Sequence, residues 1–152
     1  MLSPSLEDYL EEIYRFSLKN KFVRVSDIAN CLDVTMPSVN NAIRKLSNEG
    51  YLYYEKYREI ALTDKGIKLG KFLVERNKIL QDFIILINSK CNVKEEAEAM
   101  EHYLSLPTIQ AIQNLLDFMQ THTDCYEKFL NHCRCREEQG FGIKNGYCDK
   151  GE

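Results

Sequence analysis

Within the first 63 residues the apolar spacing changes character once, and that change restricts the fold more than any other feature of the chain. Up to Gly50 hydrophobic residues recur at helical intervals in three short blocks; after it come two short strand-like runs. Leu6, Tyr9, Leu10, Ile13 and Tyr14 predict a helix over 6–19, with Ser5 as its N-cap and Lys19-Asn-Lys21 as its end. Ser26 is expected to cap a second helix over 26–33, turning Ile28, Ala29 and Leu32 inward. After the turn "DVTMP", a third helix carries Pro37 in its first turn, where a missing N–H costs nothing. Val39, Ala42, Ile43 and Leu46 are its inward stripe and Gly50 closes it. "YLYYE" and "EIALT" then flank Lys56-Tyr57-Arg58 as a β-hairpin.

Three helices followed by a hairpin is the order of a winged helix-turn-helix, in which the second helix of the pair enters the major groove. The solvent-facing residues available there are Met36, Pro37, Ser38, Asn40, Asn41, Arg44 and Lys45. Ser and Asn read bases or bond phosphate; Arg and Lys suit guanine edges or phosphate. Lys56 and Arg58 stand at the hairpin tip, where a wing meets the DNA backbone. Short helices and a hairpin also occur in small domains that bind no nucleic acid, and an Asn-rich face is often simply wet. The combination of short capped helix, tight turn, polar recognition face and basic wing favours DNA binding.

Beyond Thr63 or Asp64, either of which can cap it, a long linking helix is predicted over 64–88, followed by helices at 93–104 and 107–121. The fold class is therefore mainly α: a winged-helix domain over 1–63 and a helical domain over 64–122. A Cys-rich tail over 123–152 opens with a short helical pattern (Tyr126, Phe129, Leu130) and then loosens into glycines and charges.

The longest apolar run, Phe83–Ile87, is far too short to cross a bilayer. The opening "MLSPSLEDYLEEIY" turns acidic at once, unlike a signal peptide, so a cytoplasmic protein with no membrane partner is expected. Residues 1–70 carry ten Lys/Arg and ten Asp/Glu, leaving ten against thirteen for the remainder. Any DNA contact must therefore come from a local patch rather than from net charge.

"EAMEHYLS" places Glu98, Glu101 and His102 at i, i+3 and i+4, on one helix edge. The first helix supplies Asp8 and Glu11, also at i and i+3. Four carboxylates and one imidazole suit Mn²⁺ or Fe²⁺ better than a thiolate-preferring metal. Each cluster taken alone also reads as a solvated acidic face, the first as an offset to the helix dipole. Both readings stand on the residues alone.

The six cysteines in a reducing compartment are not expected to form structural disulfides. Four of them, Cys125, Cys133, Cys135 and Cys148, fall in the last 28 residues, with His132 beside the pair in "HCRC". A Zn²⁺ or Fe–S site, a redox switch and a loose set of unselected thiols are the alternatives there, and a winged-helix regulator sensing thiol state or zinc through this tail is the rival function. An enzyme is not expected. Helical di-iron oxidases need two Glu-x-x-His strings, and His102, His122 and His132 follow Ala99, Met119 and Phe129 at that spacing.

"SLEDYLEEIY", "VRVSDIANCLDV…PSV", "LYYEKYREIALTDKGIKLGKFLVERN" and "EAMEHYLS" together resemble, in order and spacing, the diphtheria-toxin-repressor family, and most closely its manganese-transport-regulator branch, over roughly residues 3–122. The resemblance implies a homodimeric, metal-activated repressor of metal-uptake or homeostasis genes, with a winged-helix domain joined to a helical dimerisation domain and a palindromic DNA operator. It implies a metal set of Asp8, Glu11, Glu98, Glu101 and His102. Asp at 8 and Glu at 98 are similar to the manganese-responsive branch; the iron-responsive branch tends to have Met and Cys there. One departure stands out. Where the family has "VxRH" on the long helix, this chain reads Val74-Glu-Arg-Asn77, so Asn77 is not counted as a ligand.

Overall fold

The structure, a computed structural model, describes residues 2–20, 23–54 and 59–138. The elements run α1 (Pro4–Lys19), α2 (Val25–Cys31), α3 (Met36–Asn48), β1 (Leu52–Tyr53), β2 (Ala61–Leu62), α4 (Asp64–Leu86), α5 (Val93–Glu101), α6 (Leu106–Thr121) and α7 (Thr123–Glu138). The mainly α architecture and the small hairpin agree with the sequence expectation. The tip residues Lys56 and Arg58, and Cys148, lie outside the described residues.

Helix starts follow proline and threonine more than the expected serines. Pro4 begins α1 behind Ser3, so Ser5 sits inside the first turn; its lack of an N–H makes Pro4 the better starter. Likewise α2 begins at Val25, with Arg24 in the extended N-cap position and Ser26 already helical. Thr35 caps α3 by accepting from the Ser38 N–H at 3.4 Å, and Thr63 caps α4 by accepting from Gly66 N–H at 3.0 Å.

Three helices end in the same way. Asp33, Gly50 and Asn88 take left-handed φ of 52°, 78° and 57° after α2, α3 and α4. The next residue then donates its N–H back into the helix, Val34 to Ala29, Tyr51 to Leu46 and Ser89 to Ile84, at 3.0, 2.9 and 3.2 Å. Gly and the short polar Asn and Asp tolerate this conformation, which is why the turn after α2 is so tight.

The hairpin is antiparallel, pairing Leu52 with Leu62 and Tyr53 with Ala61. A bridge between Val23 and Ile60 adds the segment before α2 to its edge, a pairing between distant residues that local periodicity does not reveal.

Two apolar clusters result. The larger one joins Leu10, Ile13, Ile28, Val39, Ile43 and Leu46 with Leu52, Ile60 and Leu73. The smaller one comprises Leu80, Ile84, Ala97 and Ile109. Helix α4 runs through both, its buried stripe passing from Gly66 and Gly70 to Leu73, Leu80 and Ile84. Gly70 sits where a Cβ would lie 2.6 Å from Tyr14 Cβ, so α1 and α4 cross backbone to backbone there. The described part of the tail, 123–138, is a continuous 16-residue helix, longer than the expected short pattern; it packs on α6 and buries none of its residues fully.

Candidate metal centre and nucleic-acid interface

The acidic face of α1 does not point to solvent. It faces α4 and α5 across a cleft of about 470 Å³ lined by Asp8, Glu11, Asn77, Gln81, Glu98 and Glu101, among others. Glu11 and Glu101 are buried, at 6% and 2% exposure, which for carboxylates demands partners. Glu11 finds Arg15, whose Nε donates to Oε1 at 3.2 Å. Glu101 Oε2 accepts from the Asn77 amide at 2.9 Å, and Gln81 in turn donates to Asn77 Oδ1. Glu101 Oε1 points the other way, 3.8 Å from His102 Nε2 and 3.7 Å from Arg76 Nη2.

Asp8 comes to the same place from α1: its Oδ1 lies 3.4 Å from His102 Nε2. Among the described residues, Asp8, Glu101 and His102 each offer one atom within 4.8 Å of the others. Donors bound at about 2.1–2.2 Å to one octahedral ion lie roughly 3 Å apart when adjacent and about 4.4 Å when opposite, so this trio fits a single divalent cation. The other ring nitrogen, His102 Nδ1, is buried without a hydrogen bond and lies 3.7 Å from Glu7 Oε2, the carboxylate placed to orient the ring.

The electrostatics of the cluster follow from burial and from the facing carboxylates. Burial, foremost, raises the carboxyl pKa of Asp8 above its ordinary value; Glu98, Glu11 and Glu7 raise it further while His102 opposes. Glu101 is also raised, first by burial and then by Glu11, against the lowering effects of the Asn77 hydrogen bond, Arg76 and His102. Carboxylates reluctant to ionise beside one another gain most from a shared cation.

Of the five expected ligands, three therefore converge. Glu11 and Glu98 line the same cleft without joining the trio, Glu11 because Arg15 holds it and Glu98 because it stays on the exposed side of α5. Sequence reasoning missed Glu7 and Arg76, whose Nη2 to Oε2 contact is 3.0 Å. The signal was present: Arg76 is the one charged residue on the buried stripe of α4.

On α3, Pro37, Ser38, Asn41, Arg44 and Lys45 are exposed and Asn40 is half-buried, while Val39, Ala42, Ile43 and Leu46 face the core. The Ser38 hydroxyl lies 2.9 Å from Thr35 Oγ1 and is thus tied to the cap.

The tail thiols behave otherwise than a chelating loop. Because Cys133 and Cys135 lie on α7, two residues apart, their side chains leave the helix about 160° apart and cannot meet at one ion. Among the described residues Cys125, His132, Cys133 and Cys135 join no group of metal-holding geometry. Neither a tail Zn²⁺ or Fe–S site nor a tail-sensing regulator finds support there.

A winged-helix head joined by one long helix to a helical unit, with an acid–imidazole cluster at the joint, defines a cation-responsive DNA-binding protein. Residues 1–60 match "Iron dependent repressor, N-terminal DNA binding domain", and residues 63–130 match "Iron dependent repressor, metal binding and dimerisation domain". The HTH-type transcriptional regulator MntR of Lysinibacillus sphaericus (strain C3-41) is 41% identical over 129 residues, covering 84% of this chain and 93% of the relative. That of Geobacillus kaustophilus (strain HTA426) is 41% identical over 141 residues, 92% of this chain and 99% of its own. Among solved structures, the manganese regulator SloR superposes with a TM-score of 0.67 at 27% identity, over 77% of this chain and 55% of its own. A manganese-dependent transcriptional repressor in complex with manganese gives 0.65 at 25% identity, over 74% and 53%. The chain thus spans about half the length of these two solved relatives. The chain belongs to the iron-dependent repressor family, that of the diphtheria toxin repressor. It is a metal-dependent DNA-binding transcriptional repressor of metal homeostasis, and its partners are DNA, a divalent metal and a second copy of itself.

Proposed function

We propose that the chain is a cytoplasmic repressor that answers to Mn²⁺, with Fe²⁺ as the nearest competitor, and that binds a palindromic operator as a homodimer. Its working divisions are the head (1–63), the helical metal-binding and dimerisation unit (64–122) and the tail (123–152). Asp8, Glu101 and His102 are the core ligands, and Glu11 and Glu98 close the oxygen-rich side of the cleft. One observation carries the reading: Asp8 of α1 and Glu101 and His102, the last residue and the C-cap of α5, reach one another across the joint between the two units. Three oxygens or more with one imidazole favour Mn²⁺ over thiophilic ions, and relatives carrying manganese in their printed names support that choice.

When bound, the ion supplies the positive charge that the facing carboxylates lack. Asp8 and Glu101 then hold α1 against α5 instead of repelling it, which fixes the head on the dimer core. In the dimer this sets the separation of the two α3 helices, which must match half-sites about one turn of DNA, roughly 34 Å, apart or a multiple of it. Pro37, Ser38, Asn40, Asn41, Arg44 and Lys45 then face the groove, with Lys56 and Arg58 toward the backbone.

A fluorescence-anisotropy titration of a palindromic operator, with Mn²⁺ and with chelator, tests this. Affinity is expected to rise at least ~10-fold with Mn²⁺, the usual scale of coupling between two sites. Equal affinity in both buffers ends the account. Glu11→Lys, which places a cation in the cleft, is expected to abolish the response.

A further inference from the structure

Arg76 is buried, at 7% exposure, yet it sits in the middle of the charge cluster. Its Nη2 donates to Glu7 Oε2 of α1 at 3.0 Å and approaches Glu101 Oε1 of α5 at 3.7 Å. The Phe72 ring lies one turn back, 6.0 Å from the guanidinium carbon. Burying a guanidinium is costly unless carboxylates answer it, and here two do, from two different helices. Arg76 therefore ties α1 to α5 through α4 with its own charge, the task assigned above to a divalent ion.

The overlap is atomic. Glu101 Oε1, the oxygen near Arg76, is also the oxygen that faces His102, the ring Asp8 approaches, because Oε2 accepts from the Asn77 amide. A guanidinium and a divalent cation thus compete for one oxygen and repel each other across it. Arg76 also has somewhere to go. Its Nε is buried without a hydrogen-bond partner, and it borders a cavity of about 420 Å³ shared with Glu7, Glu101 and His102 and walled by Leu2, Phe72 and Ile109.

We propose that Arg76 is a positioning residue that sets the metal threshold: it occupies Glu101 Oε1 until a divalent ion displaces it, and retains Glu7 throughout. The inference rests on Asp8, Glu101 and His102 being the ion's ligands. In the metal-free chain, Arg76 keeps α1 seated on α4 through Glu7, while the closer approach of Asp8 on α1 to the end of α5 waits for the ion. The cost is weaker ion binding, which raises the concentration at which the site fills.

Calorimetric titration of Mn²⁺ into the full-length, metal-stripped protein tests this. Arg76→Gln is expected to bind Mn²⁺ about 10-fold or more tightly than wild type, while its chelator-treated form melts at a lower temperature. Arg76→Lys, which keeps the charge, is expected to stay within about threefold of wild type. Unchanged or weaker binding by Arg76→Gln overturns the proposal, since a residue that merely supports the fold does not tighten the site when removed. Should Arg76→Gln fail to fold, Glu7→Gln with Arg76→Gln restores a neutral pair; that double variant is expected to bind about 10-fold more tightly than Glu7→Gln alone, and equality overturns the proposal. Asp8→Ala separates the two levels. Loss of binding there supports the ligand set on which the proposal stands, and wild-type binding overturns that set and the proposal with it.

Discussion

The head and the helical half of the molecule bury apolar surface very differently. In the head, Leu10, Ile13, Ile28, Ile43 and Leu46 are wholly enclosed by α1, α2, α3 and the hairpin. In the helical half the enclosed cluster is four residues, whereas Leu106, Leu115 and Phe118 of α6 and Ile85 of α4 remain exposed. The head core takes Leu73 of α4 to complete it, and the other half leaves an apolar face open to something outside the chain. For a unit that matches a metal-binding and dimerisation domain, that something is a second copy. Between them lies a third kind of surface, where α1 meets the Arg76–Asn77 turn of α4 and the end of α5 largely through charge. Each surface fails in its own way when altered.

The largest effect is expected in the head core. Ile43→Ala removes fully enclosed methyl and methylene groups and should cost about 2–5 kcal/mol, read as a lowered urea midpoint at unchanged slope. Next comes the open face of α6. Leu115→Glu with Phe118→Glu places charge on residues 40% and 47% exposed in the single chain, so the fold should survive. Dimer affinity is expected to fall about 100-fold or more, seen by light scattering as monomers at micromolar concentration. A dimer that persists would put the contact elsewhere and break the comparison.

A smaller effect belongs to the seam. Because burial raises the folded pKa of Asp8 and Glu101 above their unfolded values, the folded chain holds protons that the unfolded chain has already released. Their cost to metal-free stability is absent at low pH and grows as pH rises through that window, reaching its full value above the raised folded pKa. Metal-free Asp8→Asn should therefore melt above wild type at neutral pH and match it in acid. Mn²⁺ affinity should move the other way, weakening as pH falls and the ligands take up protons. The smallest change is Asn77→Ala, which removes one hydrogen bond to Glu101 at the cost of about 1 kcal/mol, or roughly fivefold in Mn²⁺ affinity by calorimetry.

Local chemistry made the head readable from sequence. The apolar stripe of α3, Pro37 in its first turn and Gly50 at its end are all decided within one helix, and so is the Thr63 cap. The seam was only half readable. Spacing put Asp8 with Glu11 and Glu98 with Glu101 and His102, but it could not tell which member of each set turns toward the other helix. Packing decides that: Arg15 draws Glu11 aside, and the Asn77 amide orients Glu101. Glu7 and Arg76 were passed over because a charged residue beside another on α1, or one Arg on a mixed helix, has no meaning until the helices cross. The tail was left open among three alternatives. "HCRC" suggests a chelator only while the backbone is taken as loose, and a helix points its two thiols apart.

The crossing at Gly70 has a mechanical corollary. With no side chain between them, the α1 and α4 backbones are pinned at a fulcrum two turns from the charge cluster. Helix α4 is about 34 Å long at 1.5 Å per residue. Tilting it by about five degrees about that fulcrum would therefore sweep its far end, about 24 Å away, through roughly 2 Å. A side chain at residue 70 would pry this bearing open, so that play at the joint would no longer be geared to the spacing of the reading helices.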